Sequence, residues 1–229
     1  MSVKFMNSNS EYPFLHLLSI IVSNYNEHYT QKAEEFLNKM GLSGYIIVSG
    51  YSPDELPELK EICSLACSIG AGRFGAILVN KNLLENSALR ELTEFAIAHE
   101  VAHIAKSHII VSLITKRLFE TYYKRTKARI ENIAKARNLV DFVANIFAAI
   151  ISAAIAGVLL NVDKETIKTQ ELEADTIAIQ LAGCKSAIAF AKFLEALRSQ
   201  GILVSHEAVL GFPALTIDER IKNICRHCP

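Results

Sequence analysis

His99-Glu100-Val101-Ala102-His103 is the stretch that decides the fold. It has the form H-E-x-x-H and sits inside a run whose pattern predicts a helix from near Ser87 to beyond His103. Residues four apart on a helix share a face, one turn above the other. Two imidazoles at that spacing can close on one metal ion, and the glutamate between them can reach a water at that metal. His108 follows nine residues after His99. That places it about 180° around the helix, so it can join the pair only if the helix breaks.

A zinc hydrolase site takes three protein ligands and keeps one position open. A third histidine at the H-E-x-x-H-x-x-G-x-x-H spacing is excluded, because Lys106 and Ile109 stand where glycine and histidine are required. The best candidate is Glu171, in Glu171-Leu172-Glu173-Ala174-Asp175, 68 residues beyond His103. This acidic cluster lies on a second predicted helix, about Thr166 to Leu181, stopped by Gly183. Glu171 and Asp175 share a face of it. One can ligate while the other accepts an N–H from a ligand histidine. Glu173 points elsewhere, and Ala174 is small enough to let the two helices approach closely.

The rest of the chain reads as one domain, 1–229, with a basic and apolar helical insertion at about 109–162. Its 24 Lys and Arg balance 24 Asp and Glu, so no charge bias points to nucleic acid. Phe14 to Val22 reads as the start of a helix running to Gly41 rather than as a signal peptide. Five cysteines, Cys63, Cys67, Cys184, Cys225 and Cys228, fit a reducing compartment better than a disulfide framework. The expected location is therefore cytoplasmic, with a peripheral membrane contact as an option. Cys63 and Cys67 read as core-facing thiols one helical turn apart, and Cys225-Arg226-His227-Cys228 as unpaired thiols near the end.

Tyr45 to Val48 predicts a strand, and Ser52-Pro53-Asp54-Glu55 the start of a helix through about Ile69. Gly70-Ala71-Gly72-Arg73-Phe74-Gly75 matches G-x-G-x-x-G. A nucleotide loop needs a strand before it and a helix after. Here a helical pattern precedes and the strand-like Ala76-Ile77-Leu78-Val79 follows, so the reading is a turn. Lys185 to Ser199 predicts a helix, and Thr216 with Glu219 forms a capping box for a last one through Arg226. The fold class is α+β, predominantly helical, with a small sheet.

H-E-x-x-H-x-x-x-x-H followed by E-x-E-A-D resembles the gluzincin family of CAAX prenyl proteases, HtpX-type proteases and Oma-type mitochondrial proteases. The likeness covers about Ala66 to Ile224. Within it, Phe74 to Asn80 resembles the family's active-site edge strand and Glu91 to His99 the run into the motif. Asp218-Glu219-Arg220-Ile221 resembles the closing arginine segment. The resemblance implies a zincin-like metallopeptidase domain with one zinc ion per chain. His99, His103 and Glu171 would be the ligands, Glu100 the catalytic base, and Asp175 the support of a ligand histidine. The substrate would be an extended or unfolded polypeptide paired with the strand at Ala76–Val79. One position departs from the pattern: the family carries His-Pro ahead of the closing arginine, and here Phe212 precedes Pro213. His206, six residues upstream of Phe212, is the candidate substitute as transition-state stabiliser. Phe212 also keeps an alternative open, a catalytically impaired peptidase-fold protein that binds a membrane surface or a partner. A third reading is a helical membrane-surface protein whose H-E-x-x-H is accidental.

Phe142 to Leu160 is apolar except for Asn145 and Ser152, and is long enough to span a bilayer. A single crossing would put His103 and Glu171 on opposite sides, and Ile109–Ile114 is too short to supply a second. The segment is therefore a buried helix, a cover over the cleft, or a re-entrant or surface-lying element. Lys116 to Arg137 ahead of it carries eight basic residues against Glu120 and Glu131. The favoured reading is a solvated basic face leading into a core helix; the other is a seat on an anionic lipid surface.

Overall fold

A computed structural model describes residues 13–52, 65–207, 211 and 213–228. The chain begins with α1 (Pro13–Ser23) and α2 (Glu27–Lys39). The single helix expected up to Gly41 is interrupted between them. Asn26 adopts an extended backbone, and its side chain accepts the Tyr29 N–H as the cap of α2. Tyr25 meanwhile bridges to Ser49. An Asn cap satisfies an N–H that a continuing helix would otherwise bond internally, so two short helices replace one.

Three strands follow, β1 (Tyr45–Tyr51), β2 (Ala66–Ala71) and β3 (Phe74–Asn80). The sheet order is β1-β3-β2, with β1 parallel and β2 antiparallel to β3. Two expectations change here. The helix expected through Ile69 does not reach that far, because Ala66–Ala71 is a strand; its expected start at Pro53–Glu55, and Cys63, lie outside the described residues. The strand at Ala76–Val79 is central, and the edges are β1 and β2. The outer side of β1 is bonded to the α1–α2 linker, by the Asn26 N–H to the Val48 carbonyl and the Gly50 N–H to the Asn24 carbonyl, so among the described residues the open edge is β2. The glycine-rich stretch is the β2–β3 hairpin. Its two-residue loop, Gly72-Arg73, has φ +66° at Gly72, as a primed turn requires. The turn reading holds, although a strand and not a helix precedes it.

After α3 (Lys81–Glu85) and one 3-10 turn at Ser87–Leu89 comes α4 (Arg90–Ala105), the central helix. Phe95, Ile97, Ala98, Val101, Ala102 and Ile104 on it are buried. A helix apolar on all sides belongs in the middle of a core. Next along the chain is α5 (His108–Ile133), which α4 meets only near their junction; α4 packs mainly on the sheet and on two later helices, α6 (Leu139–Ala182) and α7 (Cys184–Ser199). The chain closes with a hairpin, β4 (Val204–Glu207) and β5 (Pro213–Thr216), and α8 (Ile217–His227). The capping box at Thr216 and Glu219 is formed as expected. The fold is predominantly helical α+β with small sheets.

The helix expected from about Thr166 instead begins at Leu139 and runs 44 residues without a break. No glycine or proline separates Leu160 from Thr166. The apolar run and the acidic cluster therefore share one rod. α5 runs antiparallel beside it. Ser112 donates to Gln170 at 2.8 Å, Thr115 to Asp163 at 3.3 Å, and Arg129 to Asn145 at 3.2 Å. Phe119 packs with Ala156. This pairing sets the apolar run against the basic stretch of α5 in a two-helix arm. The favoured core-helix reading is overturned: Phe147 is 62% exposed, Ile150 59%, Ile151 58% and Val158 62%. One partner helix covers only one side of α6, and nothing else among the described residues buries the other.

The cysteines also depart from expectation. Cys184 and Cys228 form a disulfide between the start of α7 and the end of α8, with Cα atoms 5.4 Å apart. That spacing is within the reach of a bridge. Cys67 is disulfide-bonded as well, which overturns its reading as a free core thiol. Cys225 is free and exposed.

Candidate metal centre

α4 presents His99 and His103 to the face of α6 that carries Glu171 and Asp175. All four side chains are buried. His99 Nε2 and His103 Nε2 face each other at 3.0 Å. Glu171 Oε2 lies 3.2 Å from His99 Nε2, and Oε1 lies 3.3 Å from His103 Nε2. Donors held about 2.0–2.1 Å from a tetrahedral zinc ion sit about 3.3 Å from one another, so the spacing fits such an ion. The chemistry fits as well. Glu171 Oε2 is buried and has no hydrogen-bond partner. A buried carboxylate oxygen left that way is costly unless a cation completes it. These three residues could hold a metal ion.

The local field favours a cation. Burial pushes the Glu171 carboxyl up, but the imidazoles of His206, His103 and His99 outweigh it and hold the group well below its ordinary range. Burial likewise opposes charge on His99, yet Asp175 and Glu171 draw it up to about 10. Two carboxylates beside His99 thus favour positive charge at that ring, in a pocket lined with nitrogen and oxygen donors.

Each histidine is backed from behind. His99 Nδ1 lies 2.9 Å from Asp175 Oδ1, a close polar contact off the straight hydrogen-bond line. Asp175 in turn accepts both arms of Arg220, from Nε at 2.8 Å and from Nη2. Burial raises the Asp175 carboxyl, and the Arg220 charge and its hydrogen bonds bring it below its ordinary value. Arg220 is itself buried. It stacks over Phe190 at 4.8 Å, donates to Ser205 Oγ at 3.2 Å, and reaches within 3.8 Å of Glu171 Oε2. This accounts for the closing arginine segment: α8 carries the counter-charge of the buried aspartate.

His103 is backed by a residue that the sequence reading set aside. α4 ends at Ala105, and Ser107 takes a left-handed backbone, φ 57°. The helix does break, and His108 swings beneath His103 with the two Nδ1 atoms 3.0 Å apart. His108 lies outside the trio of donors, on the outer nitrogen of one of them. Its Nε2 lies 3.4 Å from Glu173 Oε2, and Glu173 Oε1 lies 2.8 Å from Lys106 Nζ. Glu173 thus points away from the donors, as expected, but towards His108. Burial and the neighbouring His103 push the His108 imidazole down to about 4.

Glu100 stands next to His99 on α4, and its Oε2 accepts a hydrogen bond from Ser68 Oγ at 2.6 Å. Ser68 lies on β2, the edge strand, and was missed because that stretch read as helix. His206, on β4, is brought in: its Nε2 is 3.5 Å from Glu171 Oε2, its Nδ1 is 3.0 Å from Ser205 Oγ, and it is partly exposed. Phe212 lies outside the described residues. The family model described as peptidase family M48 matches residues 62–216, a span that holds every residue of this centre except Arg220. No curated protein and no solved structure matches the chain.

Proposed function

This chain belongs to peptidase family M48, and from that premise we propose a zinc-dependent endopeptidase of the gluzincin type, close to the CAAX prenyl, HtpX-type and Oma-type proteases. His99, His103 and Glu171 are its zinc ligands. The observation that carries the reading is their convergence, from positions 68 residues apart in sequence, with donor atoms close enough together to share one ion. When bound, zinc supplies Lewis acidity to the scissile carbonyl and acidifies the attacking water. Glu100 takes the proton of that water and passes it to the leaving amine, as general base and then general acid. Ser68 fixes one oxygen of Glu100 for that task. Asp175, clamped by Arg220, holds the His99 ring. The substrate pairs with β2 and not with the central β3: β2 is an edge strand of the sheet and carries Ser68 beside the base. His206, partly exposed beside Glu171, donates an N–H to the oxyanion that develops on the carbonyl.

The test is an E100Q variant compared with wild type for zinc content and cleavage of unfolded casein. The variant keeps one zinc per chain and loses about 10²–10⁴-fold in rate. Cleavage at the wild-type rate would overturn the assignment. A wild type that holds zinc and turns over nothing would instead favour the partner-binding alternative.

The exposed arm supports a second element. We propose that the arm, at about 109–162, is an insertion into one peptidase domain and seats on an anionic bilayer surface. The outer apolar face of α6 enters the headgroup boundary, and the basic stretch of α5 lies beside acidic lipid. Co-sedimentation with phosphatidylserine vesicles, weakened by salt and absent with phosphatidylcholine alone, is the expected result. No sedimentation with either composition would sink it.

A further inference from the structure

We propose that Glu173 and His108 form an orienting chain behind His103, fixing the tautomer in which His103 presents Nε2 to the metal. The inference rests on the zinc reading above. It begins with two ring nitrogens 3.0 Å apart, His103 Nδ1 and His108 Nδ1. Across such a contact one nitrogen must donate and the other accept. A neutral imidazole carries one N–H. A His103 that offers the Nε2 lone pair to a cation keeps its proton on Nδ1 and donates it to His108. His108 must then accept at Nδ1, which puts its own proton on Nε2. That nitrogen faces Glu173 Oε2 at 3.4 Å, and the carboxylate is held in place by Lys106 at 2.8 Å. The order Lys106–Glu173–His108–His103 therefore has a single consistent set of protons.

The backbone is built for this contact. On an unbroken helix His108, five residues past His103, would point about 140° away from it. Ser107 makes the turn instead, in a left-handed conformation that costs a non-glycine residue energy. Two hydrogen bonds hold the bend: the Gly72 N–H donates to Ser107 Oγ at 3.1 Å, and Gln170 Nε2 donates to the His108 carbonyl at 3.3 Å. The bend thus ties the β2–β3 hairpin and α6 to the second histidine. The two histidines are also supported differently. His99 leans directly on an aspartate, whereas His103 leans on a neutral ring polarised by a carboxylate one step further out. His108 and Glu173 are positioning residues and touch neither substrate nor reacting atoms.

The experiment is a zinc titration of the purified full chain against a chromogenic chelator, for wild type, H108L, H108Q and E173Q. Loss of an outer partner of a metal-bound histidine weakens metal affinity by about 10–100-fold, and H108L is expected to show this. H108Q, whose amide oxygen can accept the His103 N–H, recovers most of the loss; E173Q falls between. Equal affinities for H108L and H108Q would mean that the position only fills space, and would overturn the inference. Ring ¹⁵N shifts of the zinc-loaded wild type give a reading that survives misfolding of any variant. A proton on His108 Nε2 supports the chain, and a proton on its Nδ1 overturns it. A wild type that binds no zinc overturns the zinc reading and this inference together; tight zinc binding by both wild type and H108L overturns the inference alone.

Discussion

Replacing Asp175 by alanine strands the Arg220 guanidinium. Arg220 is buried, and Asp175 takes two of its hydrogen bonds. What remains is the Ser205 hydroxyl and a Glu171 oxygen at 3.8 Å. Breaking a buried ion pair from one side costs about 3–5 kcal/mol, because a charge is left without compensation. The nearby Glu171 places this case at the lower end, about 3 kcal/mol. For a chain of this size that is a fall in melting temperature of about 6–12 °C. R220L should cost a similar amount, since it leaves a fully buried carboxylate against His99 alone. The double variant removes both charges and should cost at least about 2 kcal/mol less than the sum of the singles. The assay is urea unfolding followed by far-UV circular dichroism, without reductant so that Cys184–Cys228 stays closed, and with a chelator so that metal binding does not enter. Additivity within about 0.5 kcal/mol would refute the view that these two charges exist for each other.

S68A removes a hydrogen bond to a charged carboxylate, an interaction of about 1.5–3 kcal/mol. It should lower kcat by about tenfold or more with KM unchanged; a raised KM with unchanged kcat would move Ser68 from the base to the substrate. H206A should lower kcat/KM by about 10²–10³-fold at full zinc content, the size of one oxyanion donor, and an unaffected rate would remove His206 from the mechanism. Glu219 is pulled down to about 2, first by its hydrogen bond with Lys168 and then by the Thr216 N–H. Its contribution to stability is complete above the ordinary carboxylate value of 4.5 and disappears as pH falls from there towards 2. Because the pair is more than a third exposed, the amount is about 1 kcal/mol. E219Q should flatten the acid limb of a stability–pH curve between about pH 5 and 2, and an unchanged slope there would disprove the linkage.

Helix periodicity was enough to put His99 with His103 on one helix face and Glu171 with Asp175 on another, because spacings of four fix a face whatever the surroundings; that the two faces meet followed from the family resemblance and not from spacing. The capping box of α8 was legible for the same reason: it is a local bond. β2 was not. Ala66-Cys67-Ser68-Ile69 has little intrinsic strand preference, and its ladder to β3 makes it a strand. The open edge and Ser68 were lost with it. The break at Ser107 carries no glycine or proline to announce it, so His108 read as facing away. The Phe142–Leu160 run shows why composition cannot report burial: a helix apolar on every side looks the same in a core as on an arm. The Cys184–Cys228 bridge depends on how α7 and α8 pack, which no local spacing records.

That α6 is unbroken has a consequence for how this chain can change length. A helix turns about 100° and rises about 1.5 Å per residue. One residue inserted between Leu160 and Gln170 would swing the greasy side of the arm about 100° around the axis while Glu171 stayed where it is. Seven residues would restore the angle to within about 20°, at the cost of pushing the arm about 10 Å outward. The distance between the two ends of this rod is therefore quantised. Insertions there should be disruptive between whole turns and better tolerated near them, and each one after Asp163 shifts it against Gln170 along the α5 partners that both now meet.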